Sequence, residues 1–247
     1  MTRDGDTQGH LSGRQIVVLS GPSGAGKTTV SRAVARRLSL FISVSATTRS
    51  RRPGETEGVD YYFLSREEFQ KRIADGAFVE WAEVFGQYYG TPVEELERAR
   101  RRRKQLLLEI DVQGGIQVKK KFPEALAILL LPPNDKALRR RLSKRGTEQS
   151  EEVERRFAKA RDEIEMARRS GLYDAEVVND DLENAIDEVV CIVQARAVFF
   201  TAENAAGHGR GRSPAREHAE KGRDGGTAMR PSTDSGRPEQ VEGRNAE

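Results

Sequence analysis

One cysteine, Cys191, stands in a chain of 247 residues. An internal disulfide needs two thiols and a cysteine zinc site needs more, so both are excluded, and the chain reads as a protein of the reducing cytoplasm. Cys191 lies in an apolar helical run and is expected to be a small buried hydrophobe. The three histidines, His10, His208 and His218, all fall outside the patterned stretch from 14 to 200. Imidazole therefore cannot be the base or the metal ligand of a site built there, and any chemistry must come from carboxylates, cations and backbone. Long apolar runs are missing too: the longest, Leu126 to Leu131, is far too short to cross a bilayer. The first residues carry Asp4 and Asp6 and no apolar stretch, which is not the pattern of a secretory signal.

Hydrophobic residues make up 36% and charged residues 33%, a balance that leaves part of the chain outside any core. Residues 1–13 read as a flexible extension. Residues 202–247 are dominated by Gly, Arg, Ser, Glu and Pro, with too little apolar surface to offset the entropy of ordering, and are expected to be disordered. That tail holds eight Lys or Arg and eight Asp or Glu, so the net charge of +3 resides in the remainder. Its neutrality counts against a nucleic-acid arm. The basic runs Arg98 to Lys104 and Lys119 to Lys121 read as solvated helix ends, where cations are favoured, rather than as a specific nucleic-acid surface.

What is present begins with Gly21-Pro22-Ser23-Gly24-Ala25-Gly26-Lys27-Thr28. This is a complete G-x-x-x-x-G-K-[ST] pattern. An apolar strand-like run, Ile16 to Leu19, leads into it and a helical pattern leads out, which is the context a phosphate-binding loop requires. The glycines let backbone N–H groups approach phosphate oxygens, and the helix N-terminus adds a favourable field for anions. Lys27 has the reach for β- and γ-phosphates, and the Thr28 hydroxyl is a Mg²⁺ ligand.

Around this loop, strand-like runs (16–20, 105–110, 126–131, 175–178) alternate with helical patterns (27–38, 116–121, 136–144, 151–170, 182–200). Alternation of this kind predicts an α/β fold, a parallel sheet with helices on both faces, with ligands at the carboxyl ends of the strands. Residues 41–91 break the alternation. They hold four of the five tyrosines and the single tryptophan among Gly and Pro, and read as an inserted β-rich lobe whose small aromatic core is expected from Phe63, Phe69 and Trp81.

Within that lobe, Arg49, Arg51 and Arg52 sit among hydroxyl and turn residues. Guanidinium binds phosphate through paired hydrogen bonds, so a second anion site and a solvated basic loop are both open on composition alone. The wider pattern resembles guanylate kinase. The resemblance is carried by Ser45-x-x-x-Arg49-x-x-Arg52-Pro-Gly-Glu55, Gly58-x-Asp60-Tyr61-x-Phe63, Phe78-x-Glu80-Trp81, Tyr88-Tyr89-Gly90-Thr91, Glu109-Ile-Asp111-Val-Gln113-Gly114, Arg145-Gly-Thr-Glu148 and Val178-Asn179-Asp180-Asp181, in the family's order from about Arg14 to Phe200.

The resemblance implies a P-loop NTPase-type fold over 14–201, with a GMP-binding lobe at about 41–95 and a mobile lid at about 139–156. It implies transfer of the γ-phosphoryl group of ATP, with Mg²⁺, to GMP and also to dGMP. It assigns Gly21 through Thr29 and Asn179 to ATP, and Thr28 to the metal. Ser45, Arg49, Arg52, Tyr61, Glu80, Tyr89, Thr91 and Asp111 would serve GMP: Arg49, Arg52, Tyr61 and Tyr89 its phosphate, the others its guanine. Lys27, Arg49, Arg141, Arg145 and Arg156 would stabilise the phosphoryl group in transfer. No membrane partner is implied, and monomer and homo-oligomer both fit.

The chemistry of these residues agrees. Guanine offers N1–H and an exocyclic amine as donors, which ionised carboxylates accept. The acceptor oxygen of a nucleoside monophosphate is already ionised near neutrality, so no general base is needed and positioning with charge stabilisation suffices. Two alternatives are a guanylate-kinase-like module that binds proteins without catalysis, and a related kinase of another phosphorylated acceptor. The intact Lys27 and Thr28 argue against the first, and Ser45, Glu80, Thr91 and Asp111 together argue against the second. Glu109 and Asp111 follow Leu106 to Leu108 at the sheet's ligand edge, so at least one is expected to face the site.

Overall fold

The computed structural model describes residues 13–143 and 150–207. The chain opens with β1 (Ile16–Ser20), whose five residues are all buried, and passes through the glycine-rich loop into α1 (Lys27–Leu38). Val30 and Val34, with Ser31 and Ala35, form the buried stripe of α1, as helical spacing dictates. Next come β2 (Phe41–Ile42), β3 (Ala46–Thr47), β4 (Tyr62–Phe63), α2 (Arg66–Ala74), β5 (Phe78–Val84), β6 (Gln87–Pro92) and α3 (Glu94–Arg101). The chain then returns through β7 (Leu106–Ile110), α4 (Val112–Lys121), β8 (Leu126–Leu131), α5 (Asp135–Ser143), α6 (Ser150–Ser170), β9 (Ala175–Val178) and α7 (Leu182–Gly207).

Five strands form a parallel sheet in the order β2-β7-β1-β8-β9, with β1 at its centre. Alternate residues of each strand supply the two faces. Val17, Leu19, Leu107, Ile128 and Leu130 pack under α1 and α7, while Ile16, Val18, Leu106 and Leu108 pack with Val118 and Ala99 on the other side. This is the α/β sheet covered on both faces that the alternating pattern predicts. Apolar burial of this kind stabilises by roughly 25 cal/mol per Å².

The second sheet has the order β4-β3-β6-β5. Phe41 and Ile42, counted with the lobe in the sequence, pair instead with Leu106 and Leu107 in the parallel sheet, so the second sheet takes up at Ala46. Phe69 on α2 is fully buried and stacks on Phe78 at 4.3 Å and Tyr88 at 5.3 Å between centroids. Trp81 stands at the rim of this core: it meets Tyr88 edge-on at 5.9 Å on the face that carries Phe78, yet stays 38% exposed, while Glu80 and Ala82 are buried on the other face. Cys191 is likewise exposed, since α7 buries Ala185, Val189 and Val193 and position 191 lies on the opposite side of the helix.

Ser65 caps α2, accepting from the Glu68 N–H at 3.1 Å. The basic residues after it are engaged locally. Arg98 pairs with the fully buried Glu95 at 3.1 Å, Arg102 lies over the Phe41 ring, and Lys119 binds Asp174 at 2.8 Å. The expected limit of the folded region also moves, because α7 runs on through Gly207 rather than stopping near 201. The remainder of the tail and the N-terminal extension to residue 12 lie outside the described residues.

Candidate functional site

The glycine-rich loop leaves the centre of the parallel sheet. Gly26, the N-cap of α1, takes φ 96°, a left-handed conformation that glycine adopts freely. A side chain there would also meet Asn179, since a Cβ would lie 2.4 Å from Nδ2. Asn179 follows β9, is 5% exposed, and donates from Nδ2 to the Ala25 carbonyl at 2.7 Å. Arg141 of α5 donates to the Asn179 carbonyl at 2.8 Å and to the Ala25 carbonyl at 3.4 Å. Asn179 and Arg141 thus brace the loop from behind.

Lys27 curls over the loop and donates from Nζ to the carbonyls of Gly21 (2.6 Å) and Pro22 (3.1 Å). Thr29 is exposed beside it. Arg156 of α6 reaches Ser23 Oγ at 3.1 Å. Arg145 lies outside the described residues.

The end of β7 supplies two acids with different partners. Glu109 accepts from Thr28 Oγ1 at 2.5 Å and from Ser31 Oγ at 2.7 Å. Asp111 caps α4, accepting from the Gly114 N–H at 2.8 Å, and its own carbonyl accepts from Ser20 Oγ at 2.8 Å. Among the described residues no group of three or more His, Cys, Asp or Glu is placed to hold a metal. The Thr28 hydroxyl and Glu109 carboxylate are hard oxygen donors of the type Mg²⁺ takes, and that ion normally completes its shell with water and phosphate oxygens.

Across from this edge, β5 buries Glu80. The β5–β6 register shifts between Phe78 and Glu80, a bulge that leaves Phe78 on the face of Trp81 and Gly90 and puts Glu80 on the opposite face, with Thr91 and Tyr89. Glu80 is 5% exposed and accepts from Thr91 Oγ1 at 2.7 Å. Burial pushes its carboxyl up to about 7, against the pull of the Thr91 hydrogen bond and with a further push from the negative charge of Asp111. Gly114 makes room for it: a Cβ there would lie 2.5 Å from Glu80 Oε2. Glu80, Thr91 and Asp111 therefore meet in one pocket.

A cationic and phenolic cluster lies on the same lobe. Arg49 binds Glu55 through both guanidinium nitrogens at 2.7 and 3.1 Å, and both side chains are mostly covered. Its guanidinium is 5.4 Å from the Tyr61 ring centroid, and Tyr61 meets Tyr89 edge-on at 6.1 Å. Burial, with Tyr89 and Glu109 nearby, raises the Tyr61 phenol. Arg49, Tyr61 and Tyr89 are thus together, whereas the Arg52 side chain is exposed. Ser45 stands at the connection between the sheets, its carbonyl accepting from the Tyr62 N–H at 2.9 Å.

Two acids at this site have roles that the sequence left unassigned. Glu109 was held level with Asp111 by position alone; the hydroxyls of α1 separate them. Glu163 of α6 is 6% exposed, lies beside the Ser23 backbone and in the field of Lys27, and its carboxyl is raised by burial. Only its spacing of seven residues from Arg156, which sets both on one helix face, marks it in the sequence.

The family model for guanylate kinase matches residues 13–196. A guanylate kinase of Symbiobacterium thermophilum is 45% identical over 193 residues, covering 77% of this chain and 90% of that protein. One from Carboxydothermus hydrogenoformans is 45% identical over 181 residues, covering 73% and 87%. The crystal structure of guanylate kinase from Anaplasma phagocytophilum aligns with TM-score 0.59 and 33% identity, over 76% of this chain and 86% of that one.

Proposed function

The chain belongs to the guanylate kinase family and phosphorylates GMP with ATP, and on that premise we propose how its residues divide the work. ATP lies with its phosphates on Gly21 to Thr29. Lys27 exchanges the Gly21 and Pro22 carbonyls for phosphate oxygens, and the backbone N–H groups at the start of α1 face the same anion. Thr28, with Glu109 behind it, is the place for Mg²⁺, which when bound screens the charge on the phosphates.

GMP lies on the second sheet. Arg49, Tyr61 and Tyr89 hold its phosphate, with Arg52 turning in from solvent and Arg49 exchanging Glu55 for the anion. Glu80 and Asp111 accept from the guanine N1–H and amine, and Thr91 and Ser45 stand alongside. The GMP phosphate oxygen attacks the γ-phosphorus, the bond to the bridging oxygen of ADP breaks, and no proton has to be removed first. Lys27, Arg141, Arg145 and Arg156 stabilise the charge on the moving group. Asn179 and Arg141 also hold the loop on which it moves. Residues 139–156, of which 144–149 lie outside the described residues, are assigned the role of a lid that excludes water. The single cysteine and the lack, among the described residues, of a helix long and apolar enough to cross a membrane support a cytoplasmic setting.

The observation that carries the guanine assignment is the buried Glu80 carboxylate, bonded by Thr91 and facing Asp111, with Gly114 left open beside it. Adenine presents an acceptor at N1 and would leave that carboxylate opposed. Release of ADP measured with GMP, dGMP, AMP and UMP tests it. GMP and dGMP should be used, with AMP disfavoured by as much as ~10⁴. Turnover of AMP on a par with GMP, or unchanged discrimination in Glu80→Gln, would refute the assignment.

A further inference from the structure

The β5–β6 hairpin closes through a two-residue turn, Phe85-Gly86, because Val84 pairs with Gln87. Both turn residues have positive φ, 51° for Phe85 and 75° for Gly86. Such a turn favours Asn or Gly at its first position, since a bulky side chain crowds the backbone there. Phe85 is nonetheless aromatic and 44% exposed. A bulky apolar residue held in an unfavourable backbone conformation at a hairpin tip calls for a compensating contact.

That contact is made across the site. The Phe85 ring centroid is 5.0 Å from the Arg155 guanidinium carbon and 4.4 Å from Lys159 Nζ, both on α6. Lys159 Nζ is in turn 4.0 Å from Glu163 Oε1, one helical turn further on. Glu163 lies beside the Ser23 backbone, and Arg156, adjacent to Arg155, reaches Ser23 Oγ at 3.1 Å. Positions 155, 159 and 163 share one face of the helix. A single stripe of α6 therefore runs from the hairpin tip to the glycine-rich loop.

We propose that Phe85 is a positioning residue: docked on Arg155 and Lys159, it latches the second sheet to α6 and so sets the spacing between GMP and the phosphate loop. The latch touches neither nucleotide. It rests on the reading of the second sheet as the GMP lobe. Without it the lobe and α6 move independently, so bound GMP meets the donor phosphate less often. The loss falls on the GMP side of the kinetics and leaves the KM for ATP in place.

Three substitutions separate the ring's π face from its bulk and from the turn. Phe85→Leu keeps the bulk, Phe85→Tyr keeps the π face, and Phe85→Asn suits the turn. Two exposed cation–π contacts together weigh about tenfold in an equilibrium, so Phe85→Leu should lower kcat/KM for GMP by about that factor and Phe85→Tyr should restore it to within about twofold. Phe85→Asn should raise Tm while lowering kcat/KM as Leu does, a combination that a purely structural role does not give. Combining Phe85→Leu with Lys159→Gln should cost less than the two changes added.

Unchanged kcat/KM in Phe85→Leu, or strict additivity with Lys159→Gln, would overturn the latch. Glu80→Gln assayed alongside keeps the two readings apart. If it raises the KM for GMP while Phe85→Leu does nothing, the latch fails and the lobe assignment stands. If Glu80→Gln leaves that KM unaltered while Phe85→Leu lowers turnover and couples to Lys159→Gln, the lobe assignment fails and the link between hairpin and α6 holds.

Discussion

The Thr91 hydroxyl donates to Glu80 at 2.7 Å in a pocket where Glu80 keeps only 5% of its surface. One hydrogen bond does not replace the hydration of a carboxylate, and burial leaves the acid titrating at about 7. Only the ionised form accepts both guanine donors. GMP affinity should therefore rise with pH through about 7 and then level off. Binding at neutral pH should expel about half a proton, seen as a calorimetric enthalpy that varies with the buffer's ionisation heat. Glu80→Gln keeps the nucleotide's own phosphate titration, so it serves as the control. An identical buffer dependence in that variant would contradict the assignment to Glu80.

The same residue should make the empty enzyme less stable at higher pH. The folded-state value of about 7 lies above the ordinary 4.5, so the folded state holds the proton more tightly than the unfolded chain does. Stability is then lost as pH rises between those two values and is constant above them, with a total cost of about 3 kcal/mol. Glu80→Gln should raise Tm more at pH 8 than at pH 5, measured by thermal melts of the nucleotide-free protein. Equal shifts at both values would show that no such penalty exists.

Gly114→Ala should separate folding from binding. Alanine is favoured over glycine inside a helix by about 0.5–1 kcal/mol, so Tm should not fall. Its Cβ would nevertheless stand 2.5 Å from Glu80 Oε2 and 3.4 Å from Asp111 Oδ1, displacing the pair that reads the base. A rise in KM for GMP of about tenfold or more, with KM for ATP unchanged, is expected for one misplaced polar contact in a closed site. Steady-state kinetics with each substrate varied in turn decides it.

Arg49→Lys keeps the charge and removes the fork that now grips both oxygens of Glu55. Lysine offers one ammonium where two parallel bonds are needed, so KM for GMP should rise by about tenfold while the fold is retained. Circular dichroism and initial rates on the same preparation test both halves of that statement.

Much of this was written locally in the chain. α1 and β9 occupy the residues the pattern marks, because Val30 and Val34 repeat at helical spacing and the strand is bounded by turn residues. The second sheet was harder. β3 and β4 are two residues each, and such strands exist only through pairing with distant chain, Ala46 with Gly90 and Thr47 with Tyr89. α2 carried a readable signal in Ser65 and Glu68 that the aromatic residues around it obscured. Apolar character marks Trp81 and Cys191 for burial, but helical phase turns Cys191 to the surface, and Trp81 stops at the rim of the aromatic core, against Tyr88. The separate partners of Glu109 and Asp111, and the burial of Glu163 beside Ser23, depend on helices brought in from elsewhere in the sequence.

Near the end of β7 Glu109 is bonded to Thr28 and Ser31, and two residues later Asp111 caps α4 beside Glu80. The short peptide between them is a ruler. A two-residue step of extended chain spans about 6–7 Å, and on the assignment above it sets the offset between the donor's metal-side acid and the acceptor's base-side acid. Surface loops of this enzyme can change length without touching that measure. A one-residue insertion at 110 would turn one of the two acids to the opposite face of the sheet, so the gap between the nucleotides is graduated in the backbone itself rather than in any side chain.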